Sequence, residues 1–308
     1  MAFDLHKLIG EDWRTYYSIH TDPTLFQEKL QRIWRRSWLY VAHESEIPHP
    51  GDFLSLTLAQ QPFLVVRGKD NQVRVLFNIC RHRAVTVCRE EKGNATHFTC
   101  TDHGWVYNTS GGLIGLSGPN CSLRKFAERR GLAPIPRVDM YRGFIFVNLS
   151  PEGKTLDEHL GQAKFFIDLA LNRSAAGITV AAGRRHYRGK GFWKLRMNRN
   201  INHGQVENLG HGHAVLRFPG SSQKCKEPKR SLSQEKAQGI LKEGRTLFIF
   251  PNLFLVDQAY TSLCVLNPVA PDHTEIITMP FAPKGETIEM TTQEVHHYKT
   301  CLGDGDDE

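Results

Sequence analysis

Hydrophobic positions along the chain fall into three textures. Asp22-Pro23 is an N-cap followed by proline at the first helical position, and Phe26, Leu30, Ile33 and Trp34 then recur at i, i+4, i+7 and i+8. That spacing puts one apolar stripe on a helix. From residue 52 to about 148 the pattern shortens to alternating runs punctuated by glycine, which predicts strands at 53–58, 63–67, 73–79, 98–100, 105–107 and 143–148. Turns are expected around Gly68-Lys69-Asp70-Asn71 and at Gly111-Gly112. A helical period returns over 155–171 through Leu156, Leu160, Phe165, Phe166 and Leu169. Strands are then expected at 178–182, 187–196, 246–250, 253–257, 262–267 and 275–281. The whole is an α+β protein in which a small β-rich domain precedes a mixed one.

Composition narrows the class. Hydrophobic residues make up 40% and charged residues 23%, values of an ordinary globular chain with enough length, 308 residues, for a substantial core. No stretch approaches the roughly 20 apolar residues of a membrane span. The start, MAFDLHKLIGEDW, lacks the basic-then-apolar order of a secretory signal, so a cytoplasmic protein is expected. The net charge of +7 comes with no nucleic-acid-binding motif, so neither nucleic acid nor membrane is an expected partner. Residues 221–245 are rich in Lys and Arg and read as a solvated loop.

Seven cysteines are too few for a disulfide scaffold, and two of them carry a pattern. Cys80-Arg81-His82 and Cys100-Thr101-Asp102-His103 each follow a predicted strand, with residues 83–99 between them. Two thiolates plus two imidazoles suit a [2Fe–2S] cluster with cysteines on one iron and histidines on the other. Neutral imidazoles make such a cluster easier to reduce, moving its potential from about −400 mV into the range of about −150 to +300 mV. A structural zinc site also uses Cys₂His₂. Zinc fingers, however, group Cys with Cys and His with His, the histidines on a helix. The alternating order here, followed by Gly104-Trp105, favours the iron–sulfur reading. Cys88, Cys121, Cys225, Cys264 and Cys301 have no partner at motif spacing and read as free thiols. Trp105 is expected to pack over the cluster loop, and Asp102 to face solvent.

With these residues in view, the chain resembles the large (α) subunits of the Rieske non-haem iron aromatic-ring-hydroxylating oxygenases, nearest the benzoate, anthranilate and salicylate branch. CRHR at 80–83 and CTDHGWVYNTSGGL at 100–113 look like the two halves of that family's cluster motif. FQEKLQRIWRRSWLYVAHESEIPHPGDF (26–53) and YRGFIFVNLSPEG (141–153) look like the segments flanking its cluster domain. The resemblance runs from about residue 15 to about 285. It implies a Rieske domain (39–150) inserted into a helix-grip catalytic domain made of 1–38 and 151–308, a curved antiparallel sheet around a helix. It implies Cys80, His82, Cys100 and His103 as cluster ligands, and electrons from NAD(P)H through a reductase, in some members with a ferredoxin. It further implies a mononuclear Fe(II) that meets O₂ beside an aromatic substrate, and assembly as a homotrimer or α3β3.

One segment departs from the family. The mononuclear iron site is normally read from Trp-Lys-Leu through Glu-Asn to Asp-x-Tyr-His with a second His four residues on. Trp193-Lys194-Leu195 matches the start, but Asn198-Arg199 stand where Glu-Asn is expected and no Asp-x-Tyr-His follows. A gapped alignment instead matches residues 209–216 to a later family strand, and the iron-binding helix is then missing. The residues left to supply two imidazoles and a carboxylate are His203, His211 and Asp307, the last in a Gly-rich stretch like the family's, which runs on where this chain stops at Glu308. His213, two residues from His211, is a further imidazole of the right type. Two functions follow: an oxygenase α subunit acting on an aromatic carboxylate-like ring, or a Rieske electron-transfer protein that has lost the oxygenase iron.

Overall fold

A computed structural model describes residues 18–116, 130–172, 177–181, 183–190, 204–219, 243–257 and 261–284. The chain divides into two compact units, Arg35–Leu156 and Met1–Trp34 with Asp157–Glu308.

The first unit is built from three antiparallel sheets. β1 (Leu39–His43) pairs with β10 (Phe144–Asn148), which pairs with β9 (Arg137–Tyr141). A second sheet runs β4 (Val73–Phe77), β3 (Gln61–Arg67), β2 (Asp52–Leu58), β5 (Lys92–Asn94). The third joins β6 (His97–Thr99), β7 (Val106–Asn108) and β8 (Leu113–Gly115). Every residue of β10 is buried, because both of its faces are covered. Turn chemistry fixes the registers. Arg142 and Gly143, with φ of +53° and +85°, form the two-residue loop between β9 and β10. Positive φ at both positions is the turn whose twist matches a hairpin. A Cβ on Gly143 would stand 2.6 Å from His43 Nε2, so this position needs glycine for space as well.

The core of this unit holds Phe53, Leu64, Val66, Leu76, Phe98, Tyr107, Leu113 and Leu132 together with Cys80 and Cys100. The β2–β4 sheet and the β6–β8 sheet meet there. Both motif cysteines are therefore core residues as well as candidate ligands. The strands predicted at 53–58, 63–67, 73–79, 98–100 and 105–107 all have counterparts, shifted by a residue or two at their ends.

In the second unit, β11 (Ile178–Val180), β18 (His273–Pro283), β17 (Thr261–Ala270), β16 (Leu253–Asp257), β15 (Glu243–Ile249), β14 (His213–Pro219) and β13 (Gln205–Gly210) follow one another across an antiparallel sheet, and β12 (Arg185–Lys190) also pairs with β18. The single helix predicted over 155–171 is two: α3 (Leu156–Leu160) and α4 (Ala163–Leu171), the latter burying Phe166, Ile167, Ala170 and Leu171. Gly161, at φ +46°, ends the first as a left-handed cap, its N–H returning to Asp157 O at 3.1 Å. The N-terminal helix α2 (Pro23–Lys29), preceded by the one-turn α1 (Ser18–Thr21), starts as expected. Asp22 Oδ1 accepts from the Thr24 and Leu25 N–H groups, and the last predicted turn, Leu30–Trp34, is a π-helical one.

The segment 209–216 is not one strand. Gly210, His211 and Gly212 have φ of +80°, +52° and +82° and form the tip of the β13–β14 hairpin. Three consecutive left-handed residues reverse the chain inside the segment that the gapped alignment matched to a single family strand.

Candidate metal centre

Two loops of the same construction carry the motif. In the first, Cys80 N–H donates to Val85 O at 2.7 Å and Ala84 N–H to Cys80 O at 2.9 Å. In the second, Cys100 N–H donates to Trp105 O at 2.8 Å and Gly104 N–H to Cys100 O at 2.9 Å. The fifth residue of each loop is left-handed, Ala84 at φ +60° and Gly104 at +62°. Glycine takes that conformation without a Cβ clash; alanine takes it at a cost of roughly 1 kcal/mol. Each loop thus leaves the core at its cysteine, turns once, and presents a histidine outward.

The donors separate by depth. Cys80 and Cys100 are 2% and 1% exposed, while His82 is half-buried and His103 exposed. The two thiols lie side by side. Burial, and the Cys80 thiol next to it, push the Cys100 thiol up, opposed by the Asp102 and His103 backbone N–H groups that point at its sulfur. The imidazoles meet edge to face, ring centroids 4.5 Å apart at 90°. Burial, then the neighbouring His103, Arg83 and Arg130, lower the His82 pKa, and Asp102 opposes them. Asp102 itself faces solvent, 4.0 Å from Arg89.

Two aromatic side chains hold the arrangement. Trp105 stacks on His82, not on its near neighbour His103, with centroids 4.9 Å apart and 13° between planes. Tyr107 is fully buried, and its hydroxyl accepts from the Arg81 N–H at 3.1 Å and lies 3.3 Å from Cys80 Sγ, to which it donates when that sulfur is a thiolate. One hydroxyl therefore ties the second loop's strand to the first loop. Burial and the Cys80 sulfur raise the Tyr107 pKa, so it stays a donor. Trp105 was expected over the cluster loop and lies on His82 of the first one, whereas the role of Tyr107 had not been assigned from sequence. The signal was available in the alternation of Trp105 and Tyr107, which puts both on one side of the chain.

Donor chemistry tests the fit of a cluster. His82 Nδ1 is buried and has no hydrogen-bond partner, an arrangement that disfavours folding unless something occupies it. Two buried sulfurs inside and two imidazoles outside match the two-and-two division of a Rieske centre. Among the described residues no three His, Cys, Asp or Glu side chains converge on a single point suited to one metal ion. A site that divides its ligands between two irons does not require such convergence. Cys88 and Cys264 are buried and form no disulfide, and burial beside Glu90 pushes Cys88 up to about 11.

The second candidate site does not assemble among the described residues. His203, Asp307 and the segment from Trp193 lie outside them, as do residues 221–242 of the basic loop. His211 sits exposed on the hairpin tip. His213, 1% exposed, is committed elsewhere. Its Nε2 donates to His159 O at 2.7 Å and its Nδ1 accepts from the Phe250 N–H at 3.0 Å. His159 in turn donates from Nε2 to Phe250 O at 3.1 Å. This closed ring of bonds fastens α3 to the ends of β14 and β15 and uses both His213 nitrogens, which makes it a structural residue.

Residues 37–127 match the Rieske [2Fe–2S] domain. The chain therefore carries a Rieske-type domain, and that domain implies a [2Fe–2S] cluster. Similarity extends beyond the domain. The large subunit of 2-halobenzoate 1,2-dioxygenase from Burkholderia cepacia is 28% identical over 339 residues, spanning 94% of this chain and 73% of that protein. The large subunit of anthranilate 1,2-dioxygenase from Acinetobacter baylyi is 28% identical over 343 residues, 93% and 72% of the two chains. The crystal structure of naphthalene 1,2-dioxygenase from Rhodococcus sp. bound to indole superposes with a TM-score of 0.76 at 26% identity, over 94% of this chain and 78% of that one. The chain is homologous to the large subunits of Rieske non-haem iron aromatic-ring dioxygenases, which are oxidoreductases, and the benzoate-type branch fits. No helix among the described residues is long and apolar enough to cross a membrane.

Proposed function

We propose that this chain is the α subunit of a Rieske-type oxygenase that hydroxylates an aromatic carboxylate-like ring with O₂, using electrons from NAD(P)H through a reductase. Cys80, His82, Cys100 and His103 hold the cluster, which when bound carries single electrons. Domain 39–150 supplies that function, and 1–38 with 151–308 form the substrate-binding part, working in an oligomer. The observation that carries the reading is the pair of matched loops, with buried thiols, outward imidazoles and an unpartnered His82 Nδ1, in a chain similar along most of its length to dioxygenase large subunits. Within the site, Tyr107 and the Asp102 and His103 backbone N–H groups stabilise negative charge on the sulfurs, Trp105 orients His82, and the core excludes water from the inner side.

A second reading has its own observation. No Asp-x-Tyr-His follows Trp193-Lys194-Leu195, and His213 is consumed by the His159–Phe250 ring. A Rieske electron carrier without oxygenase iron would look this way. Oxygen uptake with an artificial reductant and a panel of aromatic acids, followed by product analysis, separates the two. Ring-hydroxylated product supports the oxygenase and requires a metal held by His203, His211 and Asp307 or other residues. A reducible cluster with neither uptake nor product supports the carrier.

A further inference from the structure

Arg130 stands over the Trp105 ring, its Cζ 5.9 Å from the centroid, at the limit of a favourable cation–π contact. Its position is set by the chain that follows. Gly131 packs so closely on the β7–β8 turn that a Cβ there would stand 2.7 Å from Gly111 O. Leu132 N–H then donates to that same oxygen at 2.7 Å. Ala133 O accepts from the Phe77 N–H at 2.8 Å and Ile135 N–H donates to Val75 O at 3.0 Å, which adds this strip to the edge of β4. The backbone thus delivers Arg130 to a fixed place beside the cluster loops.

What lies beneath it is specific. Trp105 lies nearly flat on His82, and no hydrogen bond fixes the His82 Nδ1. Stacking on Trp105, with the edge-to-face contact from His103, therefore orients this imidazole. The Arg130 charge lies within about 11 Å of the imidazole centroid by way of the two ring contacts. Arg81 and Arg83 are exposed on the same loop as His82, and Arg89 faces Asp102. Arg130 is the cation among them that reaches the site through an aromatic ring stacked on a candidate ligand.

We infer that Arg130 is a positioning residue of the cluster site: it holds the Trp105 indole against His82, and its charge raises the electron affinity of the group that His82 helps to bind. The inference rests on the reading of Cys80, His82, Cys100 and His103 as [2Fe–2S] ligands. A positive charge favours the reduced, more negative state. At about 11 Å, with an effective dielectric between the surface-pair value and water, the effect is about threefold in the reduction equilibrium. That corresponds to about 30 mV for a one-electron couple.

The test is a redox titration of the full-length protein, followed by the EPR signal of the reduced cluster, with iron and sulfide measured on each sample. Arg130→Gln is expected to weaken reduction about threefold, Arg130→Glu about tenfold, and Arg130→Lys to stay near wild type. A wild-type potential in the Gln variant, or a fall in the Lys variant as large as in the Gln variant, overturns the inference. If the Gln variant does not hold iron, Arg130→Met takes its place, keeping length without charge. Loss of iron from both while the Lys variant stays loaded assigns Arg130 to folding and overturns the claim on electron affinity. Wild-type protein without iron and sulfide would instead overturn the ligand assignment, an outcome distinct from all of these.

Discussion

Replacing Tyr107 with phenylalanine isolates the hydroxyl that joins the two ligand loops. The ring is fully buried in the core beside Cys80, Cys100 and Leu113, so Tyr107→Phe keeps the packing and opens no cavity. Two bonds are lost: the one accepted from the Arg81 N–H at 3.1 Å and the one made with Cys80 Sγ at 3.3 Å. The Arg81 side of the first is exposed, so water can replace the hydroxyl in part, and that bond is worth about 1 kcal/mol. The second bond goes to a buried sulfur that water does not reach. It is worth a similar amount to a thiol and about 1.5–3 kcal/mol to a thiolate. The expected cost is about 2 kcal/mol without iron and about 3 kcal/mol in the loaded protein. Urea unfolding of both forms measures it, as a lowered midpoint at unchanged slope. The same variant removes a donor that favours the more negative cluster, so its reduction potential falls. Unchanged stability in both forms, together with an unchanged potential, would show that the hydroxyl does not bridge the loops.

The two left-handed positions make an opposed pair. Gly104→Ala is expected to destabilise by about 1 kcal/mol and Ala84→Gly to cost nothing or stabilise slightly, read by the same urea titration. Equal effects at both would deny the matching geometry of the loops. The pH dependence of stability has a predicted sign. His43 is buried, its Nδ1 accepting from Ser45, and burial lowers its pKa below the ordinary 6.5; burial does the same to His213. Between their folded values and 6.5 the unfolded chain binds more protons, so stability is flat above about pH 7 and falls as the pH drops through 6.5 and below. Thermal melts from pH 8 to pH 5 check this, and a midpoint that rises on acidification would contradict it. Cys100→Ser removes one of two inner thiolates and is expected to purify without iron or sulfide while keeping its β-sheet circular dichroism; a fully loaded variant would exclude Cys100 as a ligand.

The cluster loops were legible in the sequence because their information is local: four ligands at fixed spacing, each just after a run of strand-forming residues. Most of the first unit's strands were legible for a similar reason, since alternation survives where one face is buried. What stayed hidden depends on distant partners. His213 looks like a ligand beside His211, but its two partners are 54 and 37 residues away. Only the fold shows that both its nitrogens are used. The reversal at Gly210-His211-Gly212 was missed because the segment was read through its match to a family strand, although two glycines around one residue are a turn signal. The break at Gly161 was readable in principle, as a glycine inside a helical pattern, yet the apolar stripe from Leu156 to Leu169 masked it. Arg130 carries no motif at all; its place is set by the packing of Gly131 on Gly111.

Iron and acid-labile sulfide per chain, measured on anaerobically purified protein with the EPR spectrum of its dithionite-reduced form, test the central claim most directly. The account predicts two irons and two sulfides with a Rieske-type signal, both lost on His82→Ala. Iron beyond two, retained after desalting, would identify the oxygenase reading over the carrier. Zinc in place of iron, with no sulfide and no signal on reduction, would contradict the account.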